Sequence, residues 1–463
     1  MRRQYEQQYR DKLITATDAA GLVASDMTVH LGGSANVATI IDKYLARRKA
    51  ELANVTLCTY LDTVCYQCCQ ADPAGEVFKW YSGFILGFTR GLSRERGIGI
   101  YRPSTWHNVP SFIRSGAPYD IFFLVTAPMD DAGYFNFGLT VAETMAIAET
   151  SRKIVVIVRP DMPTLYGGDQ ESIHISRVDH IVEDNEFETF CLPRVEASER
   201  DRAIARHVLD SGLIGDGATL QIGIGGLPNS VLDMLKGAGI RHCGFHTEML
   251  TEKMADLIEA GVVDNSRKRV DRYKSVFSFS LGSRQLYDFA DRNPAFAAYP
   301  VDYTNNPHII ARLPNMFSLN SAAQIDLTGQ AASEQIAGAR PVQISGTGGQ
   351  LDFVMGTMMA LDGKGVSVLA IYSEHKAQSK IVPLLDMGAN VTVPRSMVDH
   401  VATEWGVARL RGLTNSERAR ALIAIAHPKF RDDLMRQARD AGFLPYGTGV
   451  SGKLPAGVLS HSG

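Results

Sequence analysis

Short apolar segments alternate with helix-like periodicity along most of this 463-residue chain, and no other pattern restricts its fold as strongly. Each segment is apolar at nearly every position, as strands covered on both faces are. Clear examples are Met27 to Leu31, Ile121 to Val125, Ile154 to Val158, Thr219 to Ile224 and Val366 to Ile371. The repeated order of strand, helix and strand predicts an α/β fold built on parallel sheets.

One local pattern occurs in both halves of the chain. Met27 to Asn36 and Leu220 to Asn229 each contain a strand-like run, the sequence Gly-Gly-x-x-Asn and the beginning of an apolar helix. Two related open parallel-sheet α/β domains, residues 1–195 and 196–444, explain this repetition, with the junction in the charged segment Val195 to Arg202. The alternative is that any two strand–helix units look alike.

The C-terminal end of the chain carries clear helix signals. Thr414 and Glu417 have capping-box spacing before a helical pattern that ends at Gly442. Pro428 is predicted to split or kink this helix. Residues 445–463 are rich in Gly, Ser and Pro without apolar periodicity, which predicts a mobile tail without a chemical role.

Charge and hydropathy argue against two classes of partner. Lys and Arg total 47 against 50 Asp and Glu, and the net charge of -3 is not that of a nucleic-acid binder or a polybasic membrane protein. No stretch reaches the roughly 20 apolar residues that span a bilayer, and the polar N-terminus lacks the apolar core of a signal peptide. A cytoplasmic protein is therefore expected, and any anionic ligand must be held by local geometry.

Four of the six cysteines fall in one segment, at Cys58, Cys65, Cys68 and Cys69. The spacing of Cys65 and Cys68 is half of a zinc site, but no second Cys-x-x-Cys or His pair completes it. We predict reduced packing thiols and no metal site, with a metal or redox role as the less favoured alternative.

The first candidate ligand segment follows the strand at 219–224 and opens a helix. Glycines at such a place let the backbone approach a ligand and leave N–H groups free to face a negative charge. The segment differs from a dinucleotide fingerprint because Pro228 occupies the last glycine position, and a tight turn without a ligand explains the glycines equally well. The candidate binding residues are Gly223, Ile224, Gly225, Gly226 and Leu227.

A second glycine-rich segment, Ser345 to Gln350, precedes another helix-like run. Gly346, Gly348 and Gly349 present unblocked N–H groups that can hold an oxyanion or a pyrophosphate. Either segment alone is a weak signal. Together they favour a ligand site, since ligands of α/β sheets bind beyond the carboxyl ends of strands.

Glu248 lies 22 residues after Gly226, where the next parallel strand would end. This spacing places its carboxylate beside the first glycine segment. The alternative is a solvated glutamate or a helix cap, which is the more common role of glutamate.

With these motifs the chain resembles the acetyl-CoA hydrolase/transferase family, specifically the 4-hydroxybutyrate CoA-transferase type of family I CoA-transferases. The resemblance runs from about Asp120 to the last helix. Its motifs are Gly133 to Gly138, Gly223 to Asn229, His246 to Met249, Asp302 to Asn306, Asn320-Ser321, Asp326 to Gln330, Gly346 to Phe353, Thr403 to Ala408 and Ile425 to Pro428.

The resemblance implies a function and a site. Glu248 matches the glutamate that forms the covalent intermediate, Gly223 to Leu227 match the loop that contacts CoA, and Gly346 to Gly349 match the active-site glycine loop. The implied reaction moves CoA between an acyl-CoA and a small carboxylic acid, with CoA thioester as substrate and no tightly bound cofactor. Two similar α/β domains with the site in their cleft, and a homodimer or homotetramer, are also implied.

Several positions depart from the family pattern and affect the expected acyl specificity. One hypothesis is that Lys376, Lys380 or Arg159 pairs with a second carboxylate, so that the acceptor is a dicarboxylate such as itaconate or succinate. Surface lysines and a structural arginine are the alternative.

Two other functions are the alternatives, and only the first of them uses the same motifs. An acyl-CoA hydrolase of the same fold would let water intercept the acyl intermediate. A nucleotide-binding or purely structural α/β protein would give no reason for the placement of Glu248 near two glycine segments.

Overall fold

The computed structural model describes residues 2–193, 195–444 and 457–459. The strands are β1 (Thr28–Gly33), β2 (Val55–Tyr60), β3 (Phe78–Ser82), β4 (Ile121–Thr126), β5 (Tyr134–Asn136), β6 (Ile154–Val158), β7 (Ser172–His174), β8 (His180–Glu183), β9 (Thr219–Ile222), β10 (Gly244–Phe245), β11 (Met249–Leu250), β12 (Ser275–Phe277), β13 (Phe279–Ser280), β14 (Phe296–Ala298), β15 (Met316–Ser321), β16 (Gln324–Asp326), β17 (Ala331–Ala332), β18 (Gln335–Ile336), β19 (Val342–Gln343), β20 (Val366–Ala370), β21 (Glu374–His375), β22 (Gln378–Ser379), β23 (Ile381–Val382), β24 (His400–Thr403), β25 (Gly406–Arg409) and β26 (Val458–Leu459).

The α-helices include the predicted capped helices and several short segments. They are α1 (Arg2–Lys12), α2 (Ala16–Gly21), α3 (Thr39–Ala46), α4 (Gln67–Ala71), α5 (Arg90–Arg96), α6 (Val109–Ser115), α7 (Thr144–Thr150), α8 (Glu199–Asp210), α9 (Gly226–Gly237), α10 (Glu252–Glu259), α11 (Arg284–Ala290), α12 (Val301–Thr304), α13 (Pro307–Ile310), α14 (Gln350–Met358), α15 (Asn415–Ile425) and α16 (Pro428–Asp440).

Two large sheets form the framework. The first has the order β3-β2-β1-β4-β6-β8, and every pairing in it is parallel. Its central strands are buried along their length, as the continuous apolar runs predict. The second has the order β10-β9-β15-β20-β24-β25-β26 and is parallel from β10 to β24. The predicted α/β fold with parallel sheets is confirmed.

The far edge of the second sheet differs from the parallel prediction. β25 pairs antiparallel with β24, and β26 pairs antiparallel with β25. Two residues separate Thr403 from Gly406, and so short a connection permits a hairpin but not a parallel crossover. The predicted tail, 445–463, lies mostly outside the described residues, while its residues 457–459 include β26.

The predicted helix boundaries hold where caps specify them. Thr414 and Glu417 form the capping box of α15. The helical segment is split into α15 and α16, and α16 begins at Pro428, as predicted. α8 begins at Glu199, because Ser198 and Asp201 form another capping box.

The two Gly-Gly-x-x-Asn segments adopt related but different local structures. In the first, residues 34–36 form a single 3₁₀ turn before α3, and Asn36 donates to the carbonyl oxygens of Val125 and Phe137. In the second, α9 begins directly at Gly226. The division at residue 195 and the homo-oligomeric assembly stay predictions.

The two parts of the chain make backbone contacts along residues 139–167 and 278–301. Val141 N and Ala142 N donate to Ser278 O, and Val301 N donates to Ala142 O. One buried apolar cluster extends across both parts. No helix within the described ranges combines the length and apolar character needed to cross a bilayer.

Candidate active site

Glu248 lies in a short connection whose backbone is held on both sides. This connection follows β10, which pairs in parallel with β9, so the strand order predicted for this segment is present. Thr247 N donates to Val276 O at 3.0 Å, and Glu248 O accepts from Ser278 N at 2.8 Å and Phe279 N at 3.1 Å. These bonds fix the backbone from which the Glu248 side chain extends.

The preceding residue, His246, is a buried structural group. Its Nε2 lies 2.8 Å from Thr304 O, which requires the proton on Nε2. Burial and the nearby Lys268 ammonium lower the pKa of His246 to about 3, so the ring is neutral at physiological pH. His246 therefore anchors the segment and is not a charged partner for Glu248.

The Glu248 carboxyl group is tightly surrounded. A Cβ atom at Gly349 would lie 1.8 Å from Glu248 Oε1 and 2.0 Å from Asn305 Nδ2, so a side chain at position 349 would overlap both groups. The pKa of Glu248 is raised to about 8: burial is the main cause, the negative charge of Asp352 acts in the same direction, and a hydrogen bond from Asn305 opposes both. The residue as a whole is nevertheless partly exposed.

Asp352 connects this carboxyl group to the N-terminal part of the chain. It is fully buried in the first turn of α14, and Asn305 Nδ2 donates to its Oδ2 at 3.3 Å. His107 donates its backbone N–H to Asp352 Oδ2 at 3.1 Å, and His107 Nδ1 lies 2.6 Å from Oδ1. Residues from both parts of the chain thus determine the electrostatic environment of Glu248.

The second glycine segment is held against the N-terminal part of the chain. A Cβ at Gly346 would lie 2.7 Å from Phe84 Cδ2, and one at Gly348 would lie 2.8 Å from Phe84 Cε2. Gly348 also has φ +51°, a conformation that favours glycine. Trp106 N donates to Gly348 O at 3.1 Å.

Amide groups in this segment are available to a ligand. Within the described chain, the backbone N–H groups of Gly348 and Gly349 have no hydrogen-bond acceptor. Thr347 N between Gly346 and Gly348 donates instead to Tyr101 Oη at 2.9 Å, and Tyr101 donates to Glu334 at 3.0 Å. This bond holds the segment in place and leaves two amides unsatisfied, one of them at Gly349, which packs against Glu248.

The first glycine segment lies at a neighbouring cavity of about 280 Å³. Ile224 and Gly225 line this cavity together with Thr251, Glu252 and Lys253, which follow Glu248 closely in the chain. The second glycine segment therefore contacts Glu248 through Gly349. The first glycine segment instead lines the cavity that residues 251–253 also line.

Backbone geometry explains two of the glycines in the first segment without a ligand. Gly225 has φ +119° before α9 begins. A Cβ at Gly226 would lie 2.5 Å from Asp201 Oδ2, so α8 packs directly on this position. Gly223 donates its N–H to Leu319 O at 3.3 Å, and Leu227 is buried.

The cations considered for a second carboxylate lie in different environments. Arg159 is buried, and its guanidinium lies 2.9 Å from Asp184 Oδ2, which is the structural role left open by the sequence. Lys376 is exposed at the turn between β21 and β22, and Lys380 is partly exposed. All six cysteines are free, and the described residues contain no group of three or more side chains suited to a metal ion.

Sequence reasoning missed several groups around Glu248. His107, Trp106 and Tyr101 belong to no local motif, and the residues of the second glycine segment and α14 that they contact lie more than 240 positions away. Asn305 and Asp352 fall within segments that carry the family resemblance, but nothing local indicates that they contact each other or Glu248.

Known proteins are similar to this chain in sequence and in fold over nearly its whole length. The profile of the acetyl-CoA hydrolase/transferase N-terminal domain matches residues 1–193, and that of the C-terminal domain matches residues 282–438. The chain is 37% identical over 436 residues to a probable butyrate:acetyl-CoA coenzyme A-transferase of Syntrophomonas wolfei, covering 94% of this chain and 96% of that protein. It is 39% identical over 444 residues to a succinyl-CoA:cyclohexane-1-carboxylate CoA transferase of Geobacter metallireducens, covering 95% and 97%.

The structural comparison agrees with the sequence comparison. The crystal structure of RipA from Yersinia pestis matches with a TM-score of 0.85 and 34% identity, covering 95% of this chain and 100% of that one. An acetyl-CoA hydrolase of Saccharomyces cerevisiae is more distant, at 28% identity over 248 residues, which is 52% of this chain and 45% of that protein.

Proposed function

The chain belongs to the acetyl-CoA hydrolase/transferase family, as its motifs predict, and from this premise we propose that it transfers CoA between an acyl-CoA and a small carboxylic acid through a glutamyl-CoA thioester at Glu248. The observation that carries the proposal is the packing of the Glu248 carboxyl group against Gly349. The nucleophile therefore lies next to a segment that carries unsatisfied backbone donors.

The proposed reaction has two half-reactions of the same kind. A carboxylate oxygen of Glu248 attacks the thioester carbonyl carbon, the carbon–sulfur bond breaks, and an acyl-glutamyl anhydride and CoA thiolate form. The thiolate attacks the glutamyl carbonyl carbon, which releases the first carboxylate and leaves glutamyl-CoA. The acceptor acid then attacks glutamyl-CoA and the same two steps run in reverse order, restoring Glu248 and giving the new acyl-CoA.

Each step passes through a tetrahedral intermediate with a negative oxygen. The free N–H groups of Gly348 and Gly349 are the donors suited to that charge, because Gly349 packs against the Glu248 carboxyl group and neither N–H has an acceptor in the described chain. Donors of this kind typically contribute about 10²–10³ in rate each. Phe84 and Trp106 hold their segment from the N-terminal part of the chain, so the donors are positioned before substrate binds.

The raised pKa of Glu248 has two opposing effects on this chemistry. A more basic carboxylate is a better nucleophile, but attack requires the ionised form. Asp352, itself held by His107, contributes to this balance by its negative charge. Formation of glutamyl-CoA should therefore become faster as the pH rises toward 8 and above.

The proposal is tested by trapping the covalent intermediate. Wild-type protein incubated with acetyl-CoA should gain a CoA-sized mass on the peptide that contains Glu248, and hydroxylamine should remove it. Glu248→Gln keeps the size of the side chain but lacks the nucleophilic oxygen, so adduct and transfer should both be lost by several orders of magnitude.

Glu259→Gln is the matched control, because Glu259 is exposed at the end of α10. It should form the adduct as the wild type does. An adduct on another residue, or full transfer by Glu248→Gln, would refute the mechanism.

Hydrolysis is the second outcome that the assay separates. Water that reached the anhydride or the glutamyl thioester would hydrolyse it. CoA release without an acceptor acid, at a rate equal to transfer, would favour an acyl-CoA hydrolase. Strong dependence of CoA turnover on added acid would favour the transferase.

A further inference from the structure

Glu143 is a buried carboxyl group to which the proposed mechanism gives no role. It is 5% exposed and occupies the N-cap position of α7. Within the described chain, its side chain makes no capping hydrogen bond to that helix. Burial raises the pKa of Glu143 to about 7, so a negative charge at this position is unfavourable. An apolar side chain would cost less to bury, and stability alone therefore does not account for a carboxyl group here.

The hydrogen-bond donor to this carboxyl group is the indole of Trp106. Trp106 Nε1 donates to Glu143 Oε2 at 3.1 Å. The indole is 1% exposed and packs against two other rings, with centroid distances of 5.2 Å to Tyr60 and 5.3 Å to Phe279. An indole has a single N–H group, so its hydrogen bond to Glu143 fixes the orientation of the ring.

The backbone at Trp106 contacts the active site on both sides of Gly349. Trp106 N donates to Gly348 O at 3.1 Å. The next residue, His107, donates its backbone N–H to Asp352 Oδ2 at 3.1 Å. Gly348 and Asp352 lie on either side of Gly349 in the chain, the residue that packs against the nucleophile. A displacement of Trp106 would therefore move the second glycine segment.

The backbone beside Glu143 is connected to the nucleophile by a different route. Val141 N and Ala142 N donate to Ser278 O at 3.0 and 3.1 Å. Ser278 N in turn donates to Glu248 O at 2.8 Å. Ala142 has φ +23°, a conformation that residues other than glycine rarely adopt and that the surrounding contacts must maintain. These bonds fix the position of Glu143 relative to Glu248.

We propose that Glu143 is a positioning residue that, through Trp106, fixes the amide donors of the second glycine segment relative to the nucleophile. This inference rests on the proposed CoA-transferase function and adds a residue to it. The backbone at 141–142 connects Glu143 to Glu248, and the Glu143 carboxyl group connects it through Trp106 to Gly348. A carboxylate accepts a stronger hydrogen bond than a neutral oxygen does, which explains an acid at this position.

The test measures the rate of glutamyl-CoA formation in single turnovers with acetyl-CoA, expressed per folded enzyme. Glu143→Met removes the acceptor and keeps a side chain of similar length. It should lower the maximal rate by roughly 10- to 100-fold and change the half-saturating acetyl-CoA concentration by less than about threefold. Glu143→Gln keeps an acceptor oxygen and should recover most of the lost rate. A residue that only stabilises the fold would change the amount of folded enzyme and not this rate.

Trp106→Phe removes the donor of the same hydrogen bond and keeps an aromatic ring. It should lower the maximal rate in the same way. The double variant, Glu143→Met with Trp106→Phe, should be no slower than the slower single variant, because both substitutions remove one shared interaction. If Glu143→Met does not fold, the rate of Trp106→Phe decides the question.

Glu149→Gln is the matched control, because Glu149 is exposed on α7 and pairs there with Arg114. It should keep the wild-type rate. A wild-type maximal rate in Glu143→Met or, failing that variant, in Trp106→Phe would overturn the positioning role, as would losses that multiply in the double variant.

Glu143 also lines a cavity of about 300 Å³ beside β1 and β2. A change confined to the half-saturating concentration would indicate that Glu143 contacts substrate there, and it would overturn the positioning role while leaving the proposed function intact. Failure of the wild type to form glutamyl-CoA would refute the proposed function, and this inference with it.

Discussion

The ionisation of Glu248 makes a quantitative prediction about pH. With a pKa of about 8, roughly a tenth of this carboxyl group is ionised at pH 7 and roughly nine-tenths at pH 9. The rate of glutamyl-CoA formation at subsaturating acetyl-CoA should therefore rise about tenfold between these values. An ordinary glutamate, with a pKa near 4.5, would be fully ionised throughout and would give a flat profile.

Asp352→Asn tests the electrostatic part of this explanation. The variant removes the like charge that raises the pKa of Glu248 and keeps the size of the side chain. Removing a neighbouring charge shifts a pKa by about one unit or more, so the midpoint of the profile should move to lower pH. The midpoint is the readout because it is independent of any loss of rate from the weakened contact with His107.

The assay is a single turnover of enzyme with acetyl-CoA, quenched at intervals and read by mass spectrometry of the Glu248 peptide between pH 6 and pH 9. Asp288→Asn, at an exposed position on α11, should keep the wild-type midpoint. A flat wild-type profile would refute the reasoning about burial. An unshifted midpoint in Asp352→Asn would refute the contribution of Asp352.

Two further predictions follow from the packing and burial of the same carboxyl group. Gly349→Ala should reduce transfer by about 10²-fold with little change in Tm, because the new methyl group displaces the ends of Glu248 and Asn305 and not the backbone. Gly87→Ala is the control, because there is open space around Gly87. Undiminished transfer by Gly349→Ala would contradict the geometry. The free energy of unfolding of Glu248→Gln, measured with urea, should exceed that of the wild type by on the order of 1–3 kcal/mol at pH 8. The two values should be nearly equal at pH 4.5. The contribution of the raised Glu248 pKa to the stability of the wild type is fully present below about pH 4.5 and is lost as the pH rises through about 8. A difference in unfolding free energy between Glu248→Gln and wild type that does not grow with pH would contradict this explanation.

Local signals were sufficient for the framework of the fold. The apolar runs at 121–125 and 154–158 became buried central strands, and the capping box at Thr414 set the start of α15. Such signals succeed because burial on both faces and cap hydrogen bonds depend on residues close together in the chain. The antiparallel edge at β25 was missed, because a reversal of direction there depends on a two-residue connection inside a region predicted to be parallel.

Local sequence patterns identified only part of the candidate site. The spacing from Gly226 placed Glu248 after β10, and glycine content singled out 346–349. The contact between Gly349 and Glu248 joins residues about 100 positions apart, and that between His107 and Asp352 spans 245. No periodicity or local motif predicts contacts between residues so far apart in the sequence.

The amino-acid sequence by itself determined the α/β class, the positions of the glycine segments and the family, since each depends on patterns that persist along a few neighbouring residues. Tertiary structure alone decided which charged groups meet: Arg159 is neutralised by Asp184, and the Asp352 carboxylate lies against His107, 245 residues earlier in the chain. The physical reason is that a charge interacts through space, so its partner and its pKa depend on which strands and helices the fold brings together.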